Sequence, residues 1–291
     1  MKNLTDIKQR IKSISQTRQI TKAMETISIS KMRKALAVYE SNLVFFNRIR
    51  SVMSDIILHS KDVSNVFMRS REGNRSIFIV IASDKGLAGS YNNNVLIEAW
   101  KTIENIEDKY IIAIGQVARE FFQKREIMVD IEFTYLTQDP EFSDAADIVD
   151  SIVYLYKQNL IDKAYVVYTE MVKSSSMRPK IIKLLPLEAQ EITKDVEIEE
   201  DKDEYYYKEL LYEPSADEVL EELTPQYLAG VLYGALVQSV ASEHLSRMLA
   251  MSNATKNATK ILEKLNLDYN RVRQENITNQ ISEIITSTLF K

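Results

Sequence analysis

From Gln226 to Phe290 the sequence contains no proline, and its only glycines are Gly230 and Gly234. Apolar residues recur at spacings of three and four, as in Leu223, Tyr227, Val231, then Leu236, Val240, and again Leu262, Leu265, Tyr269, Val272. That spacing predicts a single helix of roughly 60 residues, about 90 Å long at 1.5 Å per residue. A globular domain cannot bury such a rod. It must pair with another helix or project into a partner.

A second long helix is predicted over residues 3–58. No glycine precedes Gly73 and no proline precedes Pro140. A heptad frame starting at Leu4 runs Leu4, Ile7, Ile11, Ile14, then Arg18, Thr21, Glu25, Ser28, then Met32, Ala35, Tyr39, Asn42, Phe46, Ile49, Met53, Ile56. Sustained heptads argue for a coiled coil. The frame is apolar at its ends and polar in its middle, so the apolar face is expected to drift there to Ile20, Met24 and Ile27. Two helices of similar length at opposite ends of one chain suggest an antiparallel coiled coil, with the middle of the chain as a head.

The chain's 291 residues allow one or two domains, and with no cysteine it can form neither disulfides nor thiolate metal sites. Two histidines, His59 and His244, leave no basis for a zinc or histidine-based catalytic cluster. The net charge of −5 carries no global nucleic-acid signature. No apolar run is long enough to span a bilayer, and the N-terminus enters an amphipathic pattern without a signal-peptide core. These features point to a cytoplasmic, unprocessed chain. Charge is unevenly placed. Residues 1–34 carry nine Lys/Arg against Asp6 and Glu25. Such a face is either simply solvated or attracted to an acidic partner. RNA is a weaker reading, because no aromatic residue interleaves the basic ones before Tyr39.

Residues 75–187 read as an α/β domain. Ile77–Ala82 is a continuous apolar, β-branched run, as expected of a strand buried on both faces. Helices are expected over 93–106, 117–124 and 144–158, and further strands over 110–114, 163–171 and 180–187. Alternation of this kind argues for a mostly parallel sheet. The Ser83–Asn92 loop, SDKGLAGSYN, places two glycines between a strand and a helix. It could cradle a phosphate, yet it matches neither G-x-G-x-x-G nor the P-loop. A tight turn, with Asp84 or Asn92 capping, is the simpler reading. No histidine lies near Ser83 or Ser90 to make either a nucleophile.

Residues 188–222 hold fifteen Asp/Glu and three Lys. This is either a solvated insert or an exposed rim that touches a polar partner. Ser215 with Glu218 fits a capping box for a short helix, and Thr224-Pro225 fits the start of the long one. Along the long helix, Gln274 and Thr278 share a face. Polar residues there, with Arg273, suggest hydrogen bonds to a partner.

Several blocks resemble the gamma subunit of F-type ATP synthases. They are Gln19–Glu25 with Ser30–Ala35; the Ser83–Asn92 loop; Tyr212-Glu213-Pro214; Ala241-Ser242-Glu243 through Arg247-Met248 and Met251 to Asn253–Ala258; and Tyr269-Asn270-Arg271 with Arg273-Gln274, Ile277-Thr278 and Glu283-Ile284. They occur in the family's order and span the chain. The sequence departs from the family pattern at Thr26–Ile29, Gln280 and Ser287-Thr288.

The resemblance implies an α/β fold class with three parts. These are an N-terminal coiled-coil helix (1–60), a Rossmann-like α/β head (75–212) with an acidic insert near 190–212, and a C-terminal coiled-coil helix (215–291). It implies a rotary shaft inside a ring of alpha and beta subunits, with the head against the epsilon subunit and the c-ring. The shaft would couple proton or sodium flow to ATP synthesis without catalysing bond chemistry, and without cofactor, metal, nucleic acid or small-molecule substrate. By position, Lys22, Met24, Arg247, Arg273, Gln274 and Thr278 would meet beta subunits. Tyr205, Leu210, Tyr212 and Glu213 would face the c-ring. The implied location is peripheral, on the cytoplasmic face of a bacterial plasma membrane. A non-rotating coiled-coil scaffold and a nucleotide-dependent enzyme using the Ser83–Asn92 loop are the competing readings.

Overall fold

The structure is a computed structural model that describes residues 4–60, 65–134, 136–173, 176–194 and 212–289. Its elements run α1 (Leu4–His59), β1 (Ser76–Ile81), α2 (Tyr91–Ile103), β2 (Lys109–Ile114), α3 (Gln116–Gln123), β3 (Ile131–Phe133), α4 (Phe142–Lys157), β4 (Lys163–Lys173), β5 (Ser176–Leu185), α5 (Ala189–Thr193) and α6 (Ala216–Leu289). The chain divides into two compact units. One is Met1–Ser30 with Arg247–Lys291, and the other is Lys31–Ser246.

In the larger unit the five strands order as β3-β2-β1-β4-β5. The first four are parallel and β5 is antiparallel to β4. β1 lies at the centre, and all six of its residues are buried. Its side chains alternate between two cores, as the two-residue period of a strand requires. Ile77, Ile79 and Ile81 face α4 and the flanking stretches of α1 and α6. Phe78 and Val80 face α2 and α3. Each fully buried aliphatic side chain here contributes about 1.5–3 kcal/mol.

Against the first face, the α1 and α6 stretches of this unit run antiparallel. Tyr39 lies against Gly234, and Phe46 against Gly230 and Tyr227. A Cβ on Gly230 would stand 2.8 Å from the Phe46 ring, so the close approach requires glycine.

Two sequence expectations are corrected. The long C-terminal helix begins at Ala216, and Pro225 lies inside it. Ser215 is the true cap, since the Glu218 amide donates to its Oγ at 3.2 Å. Thr224 instead bends its hydroxyl back to the Leu220 carbonyl at 2.7 Å. An interior proline disfavours a helix by about 3 kcal/mol. The burial of Leu220, Tyr227, Leu228 and Ala229 on either side offsets it.

The second correction concerns the middle of α1. The apolar face does not drift. Every position of the heptad frame from Leu4 to Ile56 is buried or half-buried, whereas of the three residues expected on a drifted face only Met24 is half-buried, and Ile20 and Ile27 are 60% and 56% exposed. Thr21 and Ser28 stay in the seam because each hydroxyl finds a carbonyl one turn back, on Arg18 and Met24.

In the smaller unit the matching seam on α6 also alternates three and four: Met248, Met251, Thr255, Ala258, Leu262, Leu265, Tyr269, Val272, all buried or half-buried. One contact fixes its register, Thr21 Oγ1 to Thr255 Oγ1 at 2.8 Å. Leu4 lies as far before Thr21 as Val272 lies beyond Thr255. Burial on α6 ends at that level, and every residue from Arg273 to Ser287 is exposed. α6 therefore outruns the described part of α1.

Candidate functional site

The exposed end of α6 carries three of the residues expected to meet a partner, Arg273, Gln274 and Thr278. It also carries Ile277, Ile281, Ile284 and Ile285, each more than 40% exposed. At 100° per residue, this isoleucine stripe is centred about a third of a turn away from the seam of Leu262, Leu265, Tyr269 and Val272. Arg273, Gln274 and Thr278 all fall within about a quarter-turn of its centre. The tip thus has one mixed apolar and hydrogen-bonding face, and that face is not a continuation of the coiled-coil seam. The sequence shows the stripe, but its phase emerges only once the seam is located.

A second group lies lower in the same unit. Lys22 is exposed and pairs with Glu25 at 3.2 Å, a surface pair worth at most about 1 kcal/mol. Met24 and Arg247 are half-buried. By the Thr21–Thr255 register, Arg247 lies about 7 Å along the axis from the level of Met24. The two groups are separated by the helix between Arg247 and Arg273, about 39 Å at 1.5 Å per residue. Lys8, Arg10, Lys12 and Lys22 are all exposed on α1 of this unit.

Of the residues expected on the c-ring side, Tyr205 and Leu210 lie outside the described residues. Glu213 is exposed. Tyr212 packs half-buried against the larger core. Burial, and then the nearby Asp55 charge, push its phenol above the usual range.

The Ser83–Asn92 loop follows β1 at the point where the chain turns from building the sheet toward β3 to building it toward β5. In open α/β sheets ligands bind in such a crevice. Here its groups are engaged internally. The Ser83 amide donates to Asn92 Oδ1 at 2.9 Å, and Asn92 Nδ2 donates to Ser83 Oγ at 2.7 Å. Ser83 Oγ in turn donates to the Lys85 carbonyl at 2.7 Å. Asp84 caps α3 by accepting from the Gln116 amide at 3.2 Å. Gly89 takes a positive φ of 57°, but Gly86 does not.

α6 itself sits at the crevice. Ser246 Oγ donates to the Ala88 carbonyl at 2.6 Å, and Ser242 Oγ to the Thr169 carbonyl at 3.0 Å. The bonds within the Ser83–Asn92 loop are what a structural turn requires. Sequence reasoning placed Ser242 in a family block but gave neither it nor Ser246 a contact, because a serine inside a helix carries no pattern of its own. Among the described residues no group of three or more acidic or imidazole side chains is placed to hold a metal, and no helix is long and apolar enough to cross a membrane.

Comparison with known proteins agrees with this architecture. The sequence profile of the ATP synthase family matches residues 3–288. The ATP synthase gamma chain of Ruminiclostridium cellulolyticum is 43% identical over 97% of both chains. The sodium ion specific ATP synthase gamma chain of Acetobacterium woodii is 35% identical, again over 97% of both. In fold, the chain is similar to one in the Euglena gracilis mitochondrial ATP synthase (OSCP/F1/c-ring), with a TM-score of 0.66, 17% identity, and 98% and 93% of the two chains covered. It is also similar to one in the central stalk and c-ring of the Tetrahymena thermophila enzyme, with a TM-score of 0.58, 23% identity, and 81% and 99% covered. The chain belongs to the ATP synthase gamma-chain family.

Proposed function

We propose that this chain is the central rotary shaft of a proton- or sodium-driven ATP synthase. The two terminal helices, residues 1–60 and 215–291, act as the shaft, and residues 75–212 act as the head. The observation that carries this reading is the exposed tip of α6 beyond Val272, which outruns the described part of α1. A helix end with four exposed isoleucines needs a socket, and the alpha/beta ring supplies one.

Arg273, Gln274 and Thr278 hydrogen-bond to beta subunits at the tip, and Lys22, Met24 and Arg247 contact them lower down. The exposed lysines and arginines of α1 favour acidic beta-subunit segments. The rim around Tyr205, Leu210, Tyr212 and Glu213 meets the polar loops of the c-ring, beside the epsilon subunit. The chain itself catalyses no bond chemistry. Its asymmetry holds the three catalytic sites of the ring in different states. It associates peripherally with the cytoplasmic face of a bacterial plasma membrane.

Reconstitution with cognate alpha and beta subunits tests this. A stoichiometric complex is expected, with ATP hydrolysis that depends on the chain and weakens in Arg273→Ala, Gln274→Ala. Failure to associate with the ring would overturn the reading.

A further inference from the structure

We infer that Ser242 and Ser246 form a torsional clamp that fixes α6 to the central sheet, and so act as positioning residues for coupling. This rests on the rotor reading and extends it to residues of α6 inside the larger unit. The two serines are one turn apart, so they share a face of α6. Both are buried, at 0% and 6% exposure.

Each donates to a main-chain oxygen on a different element. Ser246 bonds Ala88 in the loop after β1, an oxygen that also accepts from the Tyr91 amide at the start of α2. Ser242 bonds Thr169 on β4. The strand register places the Thr169 carbonyl past the end of the β1–β4 ladder. Thr169 stands opposite Pro179, which has no N–H, and beyond the last β1–β4 pair, Val80 with Val167. Ser242 supplies it with a donor.

The two acceptors lie on neighbouring parts of one rigid sheet, so a rotation of α6 about its own axis would break both bonds together. Apolar packing alone resists such a rotation less sharply, because it is non-directional. Ser239, on the same helix, is the internal contrast. It is buried at 1% exposure, and its hydroxyl has no partner.

The test uses the complete ATP synthase carrying this chain, reconstituted into liposomes. ATP hydrolysis and ATP-driven ion uptake are measured on the same vesicles. In Ser242→Ala, Ser246→Ala, hydrolysis is expected to stay within about twofold of wild type, while ions moved per ATP fall on the order of three- to tenfold. Ser239→Ala should keep the wild-type ratio. A double variant with the wild-type ratio, whether both rates hold or both fall together, would overturn the clamp. If the double variant does not assemble, each single variant is judged by the same ratio. A wild-type complex that shows no chain-dependent uptake would instead overturn the rotor reading.

Discussion

Thr21 and Thr255 touch through their side-chain oxygens at 2.8 Å across the coiled-coil seam. Thr21 Oγ1 also lies 3.1 Å from the Arg18 carbonyl, so its single proton serves either that oxygen or Thr255, and either hydroxyl can donate across the helices. The pair is a polar layer in a seam that is otherwise mostly apolar toward the tip.

Replacing one member strands the other, whereas replacing both removes the need for the bond. Thr21→Val alone should lower stability by about 1 kcal/mol, and Thr21→Val with Thr255→Val by clearly less than the sum of the single changes. Thermal or urea unfolding of the four proteins in the cycle measures this. Strict additivity would mean the hydroxyls do not interact.

Two glycines of α6 should respond oppositely to alanine. At Gly230 the new methyl meets the Phe46 ring at 2.8 Å, which is stacked on Tyr227. Gly230→Ala should therefore destabilise by about 1–3 kcal/mol, less the gain in helix propensity. At Gly234 the nearest atom is the Tyr39 ring at 3.7 Å, an ordinary contact. Gly234→Ala should stabilise by about 0.5–1 kcal/mol. The same sign of change at both positions, read by the unfolding midpoint, would contradict the packing described.

The seam and the tip should separate in the isolated chain. Leu262 is 8% exposed and Ile281 is 52% exposed. Leu262→Ala should cost about 2–4 kcal/mol, whereas Ile281→Ala should stay within about 0.5 kcal/mol of wild type. In the assembled complex, Ile281→Ala is expected to slow ATP hydrolysis despite its silence in isolation.

Asp162 links the head's stability to pH. Its carboxylate accepts from Arg75 Nε at 2.9 Å and Nη2 at 2.8 Å, and from the Arg75 amide at 3.1 Å. The Arg75 side-chain bonds are the chief reason its pKa lies below the ordinary value. A depressed folded pKa gives stability that is fully present above the unfolded value, near 3.9. It is lost as pH falls through the folded one. Asp162→Asn should therefore lower stability at neutral pH and flatten its decline below about pH 4. Denaturant midpoints at pH 7, 4 and 3 would show it. Parallel curves for both proteins would remove Asp162 from the acid response.

Much of the frame was readable from residue spacing. The strands at the sheet centre are continuous β-branched runs, and the α1 seam follows one unbroken heptad count. The middle of α1 misled, because hydropathy alone pointed to Ile20, Met24 and Ile27. A helix keeps its phase when threonine and serine can satisfy themselves on the turn behind. Thr224-Pro225 misled for a related reason. Its local chemistry suits a helix start, but Ser215 had already begun the helix nine residues earlier. β3, with three residues, is too short for any period to register, and is held by its pairing with β2, the packing of Phe133 on the core and the Arg119–Glu132 ion pair. The tip residues were legible as candidates, but their common face was not, since it depends on where the seam ends.

The unbroken three-four alternation of both seams has a mechanical corollary. A strict seven-residue repeat falls short of two full helical turns, and paired helices absorb the difference by supercoiling to the left. A left-handed rope is chiral under load. Twisting it one way winds the strands together, and twisting it the other way slackens them. A shaft built on this repeat is stiffer in one sense of rotation than in the other, so synthesis and hydrolysis would strain it unequally.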